Sequence, residues 1–206
     1  MNIVFDLGGV VFNWQPLLLL QQVLPQHAVD QASAQHLAGQ IFQSFTAGSD
    51  WAEFDRGTIA AEPMACRIAE RTDLTAGEVM AVVNAIPAHL SAVGDTVALL
   101  RGLKDAGHRL FYLSNMPAPY ADHLERCHDF CDWFEDGVFS ARVQLIKPEP
   151  AIFREAARRF AAMPADLLFI DDVAHNVQAA RALGWQGLHF QGATGCEATL
   201  RARALL

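Results

Sequence analysis

The chain has 206 residues, of which 52% are apolar and 18% charged, a composition typical of a globular protein with room for one ordinary domain and an insertion. Its 23 acidic residues against 15 basic ones give a net charge of −8, which argues against nonspecific binding to nucleic acid or to a membrane and favours a small solute as partner. The amino terminus lacks the basic region of a signal peptide, so we expect a cytoplasmic protein. The sequence leaves its oligomeric state open.

The first residues predict a buried strand that ends at an acid. Positions 2 to 13 read NIVFDLGGVVFN, in which a short apolar run precedes Asp6. Such runs are typical of parallel strands buried on both faces, and ligands of open α/β sheets bind at the carboxyl ends of these strands. Gly8 and Gly9 then allow a ligand to approach the backbone N–H groups closely. A carboxylate beside exposed amides suits a phosphate and a cation.

Residues 15–87 carry helical rather than strand periodicity. Four apolar stripes predict four helices, enough to close a small bundle. We therefore expect an inserted four-helix cap at 15–87, lying over the carboxyl edge of the sheet. The core domain would then consist of residues 1–14 and 88–206.

After residue 87 the pattern alternates between helices and strands. A helix at 93–106 precedes a strand at 108–113, and further strands are predicted at 167–170 and 187–190 with a helix between them. This alternation predicts an α/β fold, a three-layer Rossmann-like parallel sheet covered by helices on both faces, with the all-helical cap inserted into it.

Polar side chains follow three of the predicted strands. Asp6 ends the first strand, Ser114 and Asn115 follow the second, and Asp171 and Asp172 follow a later one. The carboxyl ends of parallel strands share one edge of the sheet, so these groups should converge.

A divalent cation is expected at this edge. Several carboxylates in one cleft would repel one another unless a cation neutralised them. Mg²⁺ prefers hard oxygen ligands and is commonly held by one or two carboxylates together with substrate phosphate. Lys147 adds one positive side chain, just before a helix whose start is marked by Pro150.

Four motifs in this order resemble those of the haloacid dehalogenase-like (HAD) hydrolase superfamily, in its branch with a helical cap after the first strand. FDLGGV at 5–10 resembles the first motif, LSN at 113–115 the second, KPEP at 147–150 the third, and FIDD at 169–172 with Asn176 the fourth. Within the superfamily, the opening is similar to that of bacterial sugar phosphatases of the glucose-1-phosphate phosphatase type. The resemblance implies a Mg²⁺-dependent phosphatase acting on a small phosphorylated metabolite.

The resemblance also implies roles for individual residues. Asp6 would attack phosphorus and form an aspartyl-phosphate that water then hydrolyses, and Lys147 would offset the charge shared by the nucleophile and the phosphate. The implied phosphate-binding groups are Ser114, the backbone of Asn115, Lys147, Gly8 and Gly9.

The implied metal ligands are Asp6, the carbonyl of Gly8, and Asp172, with Asp171 acting through water. Which of the two later aspartates touches the metal stays open at this point.

Position 8 departs from the pattern that the resemblance implies. Most phosphatases of this superfamily carry there a second aspartate that protonates the leaving oxygen, whereas this chain has Gly8. We therefore expect substrates whose leaving groups need little protonation, such as anomeric sugar, aryl or acyl phosphates, or a cap residue that replaces the acid. Glu53 and Asp55 are the candidates, and Arg56 is a further candidate substrate contact, although packing and surface charge would also account for it.

Three alternatives remain open. A metal-independent 2-haloacid dehalogenase of the same superfamily would use the same carboxylate on carbon. A non-catalytic member would bind a phosphorylated ligand without turnover. Finally, His123, Cys127 and Cys131 recur every four residues and could hold a zinc ion, although burial of the cysteines in a core accounts for them more simply.

Overall fold

The computed structural model describes residues 1–46 and 48–206. Within them, five parallel strands form one sheet in the order β3-β2-β1-β4-β5. The strands are β1 Asn2–Phe5, β2 Arg109–Ser114, β3 Asp136–Phe139, β4 Leu167–Asp171 and β5 Gln186–His189. The predicted first strand is therefore central, paired with β2 on one side and β4 on the other.

Helices fill the connections between the strands. Between β1 and β2 lie α1 Pro16–Val23, α2 Gln31–Phe42, α3 Asp50–Arg56, α4 Ala61–Glu70, α5 Ala76–His89 and α6 Gly94–Asp105. The later helices are α7 Ala118–Cys127, α8 Ser140–Val143, α9 Pro150–Arg159, α10 Ala174–Ala182 and α11 Ala193–Ala202. No helix in the described part of the chain is both long and apolar enough to cross a bilayer.

The sheet is buried on both faces, which confirms the predicted three-layer α/β architecture. Ile3 and Phe5 belong to one apolar cluster and Val4 to another, because successive side chains of a strand point to opposite faces. The first cluster continues into α1–α5. The second is packed between the sheet and the later helices, with Phe153 and Phe169 among its largest members.

Local sequence signals account for how several helices begin. Thr75 and Glu78 form a reciprocal capping box at the start of α5, in which each side chain accepts a hydrogen bond from the other residue's backbone N–H. Pro150 occupies the first turn of α9, as predicted from its fixed φ and its missing N–H.

Two details differ from the predictions. Residues 16–89 contain five α-helices in the described structure rather than four, the additional one being α3, whose seven residues are too few to show periodicity. The predicted boundary at 87 falls inside α5, which continues through Pro87 to His89. Strand β3 is an addition to the predicted elements. The division into a core domain at 1–14 and 88–206 and a cap at 15–87 stays a prediction.

Candidate active site

Asp6 lies at the carboxyl end of the central strand, directly before a tight loop. Its backbone N–H donates to the carbonyl of Ile170 at 2.8 Å, which continues the pairing with β4, and its Oδ1 accepts from the N–H of Leu7 at 2.7 Å. Gly9 adopts a φ of +77°, and a Cβ there would overlap the carboxylate of Asp172. Glycine is required at position 9 for both reasons, and its absent side chain lets the two strand ends approach closely.

A buried lysine joins two of the aspartates. Lys147, 4% exposed, places Nζ 2.9 Å from Oδ1 of Asp6 and 2.7 Å from Oδ2 of Asp171. Asn115 fixes the lysine's backbone, because its Oδ1 accepts from Lys147 N–H at 2.8 Å and its Nδ2 donates to the Lys147 carbonyl at 3.0 Å. The Asn115 side chain is thus committed to positioning Lys147, which leaves its backbone for the predicted contact with phosphate.

The two aspartates after β4 have different surroundings. Asp171 is fully buried and accepts hydrogen bonds from Lys147 Nζ, from Val173 N–H at 2.7 Å and from Asn176 Nδ2 at 3.1 and 3.2 Å. No side chain in the described part of the chain donates to the carboxylate of Asp172. The carboxylate oxygens of Asp172 therefore keep lone pairs for a ligand. Those of Asp171 already accept hydrogen bonds from Lys147, Val173 and Asn176.

The three carboxylates fit a divalent cation. One oxygen each from Asp6, Asp171 and Asp172 lie within 4.8 Å of one another. They are hard donors at a partly buried edge with a single ammonium group among them, which is the donor chemistry that Mg²⁺ prefers. Among the described residues this is the only group of three such side chains that could hold a metal.

Electrostatics at this edge reflect burial and crowding of like charge. Burial raises the pKa of Asp6 to about 7, with Lys147 opposing the shift and Asp171 and Asp172 adding to it. Burial, together with Asp171, also raises the pKa of Asp172. Burial of Lys147 disfavours its charge, but Asp171 and Asp6 outweigh it and hold the pKa of the ammonium above its usual value. A positive charge at this edge therefore stabilises the ionised carboxylates.

Asp6, Asp172 and Lys147 line a cavity of about 590 Å³. Its polar lining also includes Gly8, Ser114 and Asn115. Most of the lining surface is apolar, and its large side chains, here called the apolar wall, are Trp14, Phe45, Trp51, Ile86, Leu90 and Tyr120. All of these side chains except Tyr120 come from the residues between β1 and α6, so this segment and the strand ends line the same cavity.

Of the three predicted substrate contacts between β1 and β2, only Asp55 lines the cavity. Asp55 is 6% exposed and lines the cavity. Glu53 does not line it, and instead accepts from Arg67 at 2.9 Å. Arg56 is bound by both carboxylate oxygens of Glu149, at 2.9 and 2.5 Å, and likewise lies outside the lining.

The alternative zinc site is not assembled in the described residues. Cys131 lies in a 3₁₀ turn beyond α7, so it does not continue the helix face of His123 and Cys127. Its thiol donates to the carbonyl of Leu124, and burial raises its pKa to about 11, which disfavours the thiolate that a metal requires.

Sequence reasoning missed the apolar wall of the cavity. None of Trp14, Trp51 and Tyr120 is among the site residues predicted from the sequence. Tyr120 lies in the first turn of α7, which follows the carboxyl end of β2, and this position is the one signal in the sequence that could have indicated it.

Comparison with known proteins identifies the family. Residues 1–184 match the model of the haloacid dehalogenase-like hydrolases, and the chain belongs to this family of enzymes. It is 29% identical over 187 residues to the sesquiterpene phosphatase astK of Aspergillus oryzae, covering 90% of this chain and 87% of that protein.

Solved structures share the fold. A HAD family enzyme of Bacteroides thetaiotaomicron, in complex with magnesium and inorganic phosphate, superposes with a TM-score of 0.70 at 20% identity, covering 91% of this chain and 92% of that one. The L-2-haloacid dehalogenase RSc1362 superposes with a TM-score of 0.71 at 20% identity, covering 92% and 86%. Because a phosphate-bound enzyme and a dehalogenase fit equally well, the fold alone does not decide the reaction.

Proposed function

We propose that the protein is a Mg²⁺-dependent phosphatase that hydrolyses a small phosphate monoester through an aspartyl-phosphate on Asp6. The observation that carries this proposal is the grouping of Asp6, Asp171 and Asp172 within 4.8 Å, with Lys147 Nζ bridging the first two. A metal-independent dehalogenase has no need of a third carboxylate that keeps its lone pairs free. The name of the Aspergillus relative and the magnesium and phosphate bound to the Bacteroides enzyme support the same choice.

The proposed reaction assigns a role to each of these side chains. An oxygen of Asp6 attacks phosphorus, and Lys147 offsets the charge on nucleophile and phosphate, since its third N–H is not used by the two aspartates. Ser114 Oγ and the backbone N–H groups of Gly8 and Asn115 bind phosphoryl oxygens. The predicted contact from Gly9 is corrected, because its N–H donates to the Phe12 carbonyl at 2.8 Å and Gly9 does not line the cavity.

Mg²⁺ would be held by Asp6, the Gly8 carbonyl and Asp172. Asp171 holds Lys147 and would reach the metal through water. When bound, the ion would neutralise charge on the carboxylates and the phosphate.

The apolar wall indicates which kind of alcohol the phosphate ester contains. The sequence resemblance favours a sugar phosphate, whose hydroxyl groups require hydrogen-bonding partners. Trp14, Phe45 and Trp51 offer mainly apolar surface instead, and a site of this composition binds an apolar organic group more favourably than a sugar. We therefore propose that a phosphate ester of an apolar alcohol is preferred, with sugar phosphates as the competing candidates.

A phosphate-release screen tests the proposal. Purified protein is incubated with farnesyl phosphate, glucose-1-phosphate and 4-nitrophenyl phosphate, with Mg²⁺ or with EDTA, and an Asp6→Asn variant serves as control. We expect Mg²⁺-dependent release that the variant lacks, and a higher kcat/KM for farnesyl phosphate than for the sugar. Equal release by the Asp6→Asn variant, or halide release from 2-chloropropionate in EDTA, would overturn the assignment.

A further inference from the structure

A phosphatase with this site lacks an obvious proton donor for the leaving oxygen. An alkoxide is a poor leaving group, so a positioned acid normally supplies a proton as the P–O bond breaks. Gly8 has no side chain that could do this. In the proposed function Asp6 is the nucleophile, Asp171 is occupied by Lys147 and Asn176, and Asp172 faces the metal position.

Asp55 is a third carboxyl group that lines the cavity, together with Asp6 and Asp172. It comes from the last turn of α3, is 6% exposed, and lines the cavity with Asp6 and Gly8. No hydrogen bond or ion pair between described residues ends on its carboxyl group. Burial raises its pKa to about 8, with Lys147 opposing the shift and Asp6 adding to it, so the group is protonated at neutral pH.

Contacts with α8 fix the position of Asp55. Ser140, fully buried at the start of α8, donates from Oγ to the Asp55 carbonyl at 2.5 Å and accepts from Met116 N–H at 2.8 Å. Gly57, directly after α3, has a φ of +76°, and a Cβ there would lie 2.7 Å from the carbonyl oxygen of Ala141. These contacts hold the end of α3 against α8, at a fixed place beside the reacting groups.

We propose that Asp55 is the general acid and base of the reaction, an inference that rests on the proposed phosphatase function. As an Asp6 oxygen bonds to phosphorus and the bond from phosphorus to the ester oxygen breaks, that oxygen takes the proton of Asp55 and leaves as the alcohol. The Asp55 carboxylate then accepts a proton from a water molecule whose oxygen attacks the phosphorus of the aspartyl-phosphate. The P–O bond to Asp6 breaks, releasing inorganic phosphate and restoring protonated Asp55.

Two other groups at the cavity could carry a proton. The hydroxyl of Tyr120 donates to the carbonyl of Val83 at 3.0 Å, and burial raises its pKa above its usual value, so this proton is retained. His175, in the first turn of α10, is exposed and lines the cavity. A His175→Gln variant therefore belongs in the test as the rival assignment.

The decisive experiment compares substrates whose leaving groups differ in acidity. The kcat/KM of wild type, Asp55→Asn and Asp50→Asn is measured on hexyl phosphate and on 4-nitrophenyl phosphate. Asp50 is a matched control because it lies on the same helix but pairs with Arg71 at 3.0 Å. We expect Asp55→Asn to lose ~10²- to 10⁴-fold on hexyl phosphate and only a few-fold on the nitrophenyl ester, which needs no proton. The same variant should show a burst of nitrophenolate, because hydrolysis of the aspartyl-phosphate is slowed.

A second experiment places a carboxyl group at position 8 of the variant that lacks Asp55. A Cβ at Gly8 would meet nothing within 4 Å, so the backbone there accepts a residue with a side chain. Gly8→Asp in the Asp55→Asn background should recover turnover of hexyl phosphate. A merely structural role of Asp55 predicts equal losses on both esters and no recovery.

The pH dependence of stability gives a readout without activity. The groups that face Asp55 are Lys147, Asp6 and Tyr120. Between about pH 4 and pH 8 the unfolded chain has released the proton that folded Asp55 keeps, so wild type should lose stability relative to Asp55→Asn as the pH rises through this window. Parallel thermal unfolding curves at all pH values would contradict a buried, protonated Asp55.

The remaining outcomes separate this inference from the proposed function. Equal losses on both esters, selective loss in His175→Gln instead, or a wild type that turns over only the nitrophenyl ester each overturn the role of Asp55. No phosphate release from either ester by wild type, or full release by Asp6→Asn, overturns the phosphatase proposal itself.

Discussion

Replacing Lys147 with methionine should destabilise the protein strongly, because it leaves two buried carboxylates facing each other without their shared cation. Nζ lies 2.9 Å from Asp6 and 2.7 Å from Asp171, so at an effective dielectric constant of about 20 each attraction is roughly 6 kcal/mol before desolvation. Desolvation of the charges offsets most of that sum. Removing one partner of a buried ion pair typically costs about 3–5 kcal/mol, which in a chain of this size corresponds to a fall in Tm of roughly 6–20 °C.

Thermal unfolding in EDTA at pH 7 measures the effect. The control is Arg158→Met, which breaks an exposed pair with Glu155 and should leave Tm unchanged within error. Adding Asp6→Asn to Lys147→Met removes one of the two unpaired charges, so the double variant should be more stable than Lys147→Met alone. A Lys147→Met variant with the same Tm as the Arg158→Met control would refute the stabilising role of Lys147 between Asp6 and Asp171.

Two further variants test how α3 is held. Ser140→Ala leaves the N–H of Met116 and the carbonyl of Asp55 without their buried partner, so thermal unfolding should show a loss of about 1–3 kcal/mol; an unchanged Tm would contradict the anchor. Gly57→Ala places a Cβ against the Ala141 carbonyl at a φ of +76°, so it should lower both Tm and kcat/KM. A matched Gly39→Ala change, where a Cβ meets nothing within 4 Å, should lower neither, and a Gly57→Ala enzyme as active and as stable as Gly39→Ala would show that the close contact is unimportant.

The sequence predicted most of the sheet because its central strands are buried on both faces. β1 is a short, mainly apolar run followed directly by Asp6, and β4 is an apolar run that ends at Asp171; such runs are typical of a parallel strand covered on both sides. β3 was missed because its residues Asp136–Phe139 begin with an acid and a glycine and lie at the sheet edge, where neither composition nor alternation marks a strand. The short α3 escaped for the related reason that seven residues show too little periodicity.

The candidate site was predictable to the extent that its residues lie next to strand ends. Asp6 directly follows β1, Ser114 and Asp171 are the last residues of β2 and β4, and Asp172 comes next, so the topology alone brings them to one edge. The difference between Asp171 and Asp172, by contrast, depends on where the Lys147 side chain lies. That contact spans 24 residues of sequence and no local pattern encodes it.

The apolar wall and Asp55 depend on how the helical insertion lies against the sheet. From the sequence, Glu53 and Asp55 are equal candidates for the acid, since both lie in one short charged segment. The choice between them follows from the orientation of α3, which is set by contacts with Ser140 and Ala141 about 85 residues further along the chain.

Direct detection of a phosphorylated Asp6 tests whether the reaction passes through an aspartyl-phosphate. Protein mixed with 4-nitrophenyl phosphate and Mg²⁺ is quenched in acid within milliseconds, digested, and mapped by mass spectrometry, with the slow Asp55→Asn variant used to accumulate the intermediate. We expect one phosphate on the peptide that contains Asp6, labile to hydroxylamine and absent in Asp6→Asn. Phosphate on any other residue, or hydrolysis with no covalent intermediate under conditions of rapid turnover, would contradict it.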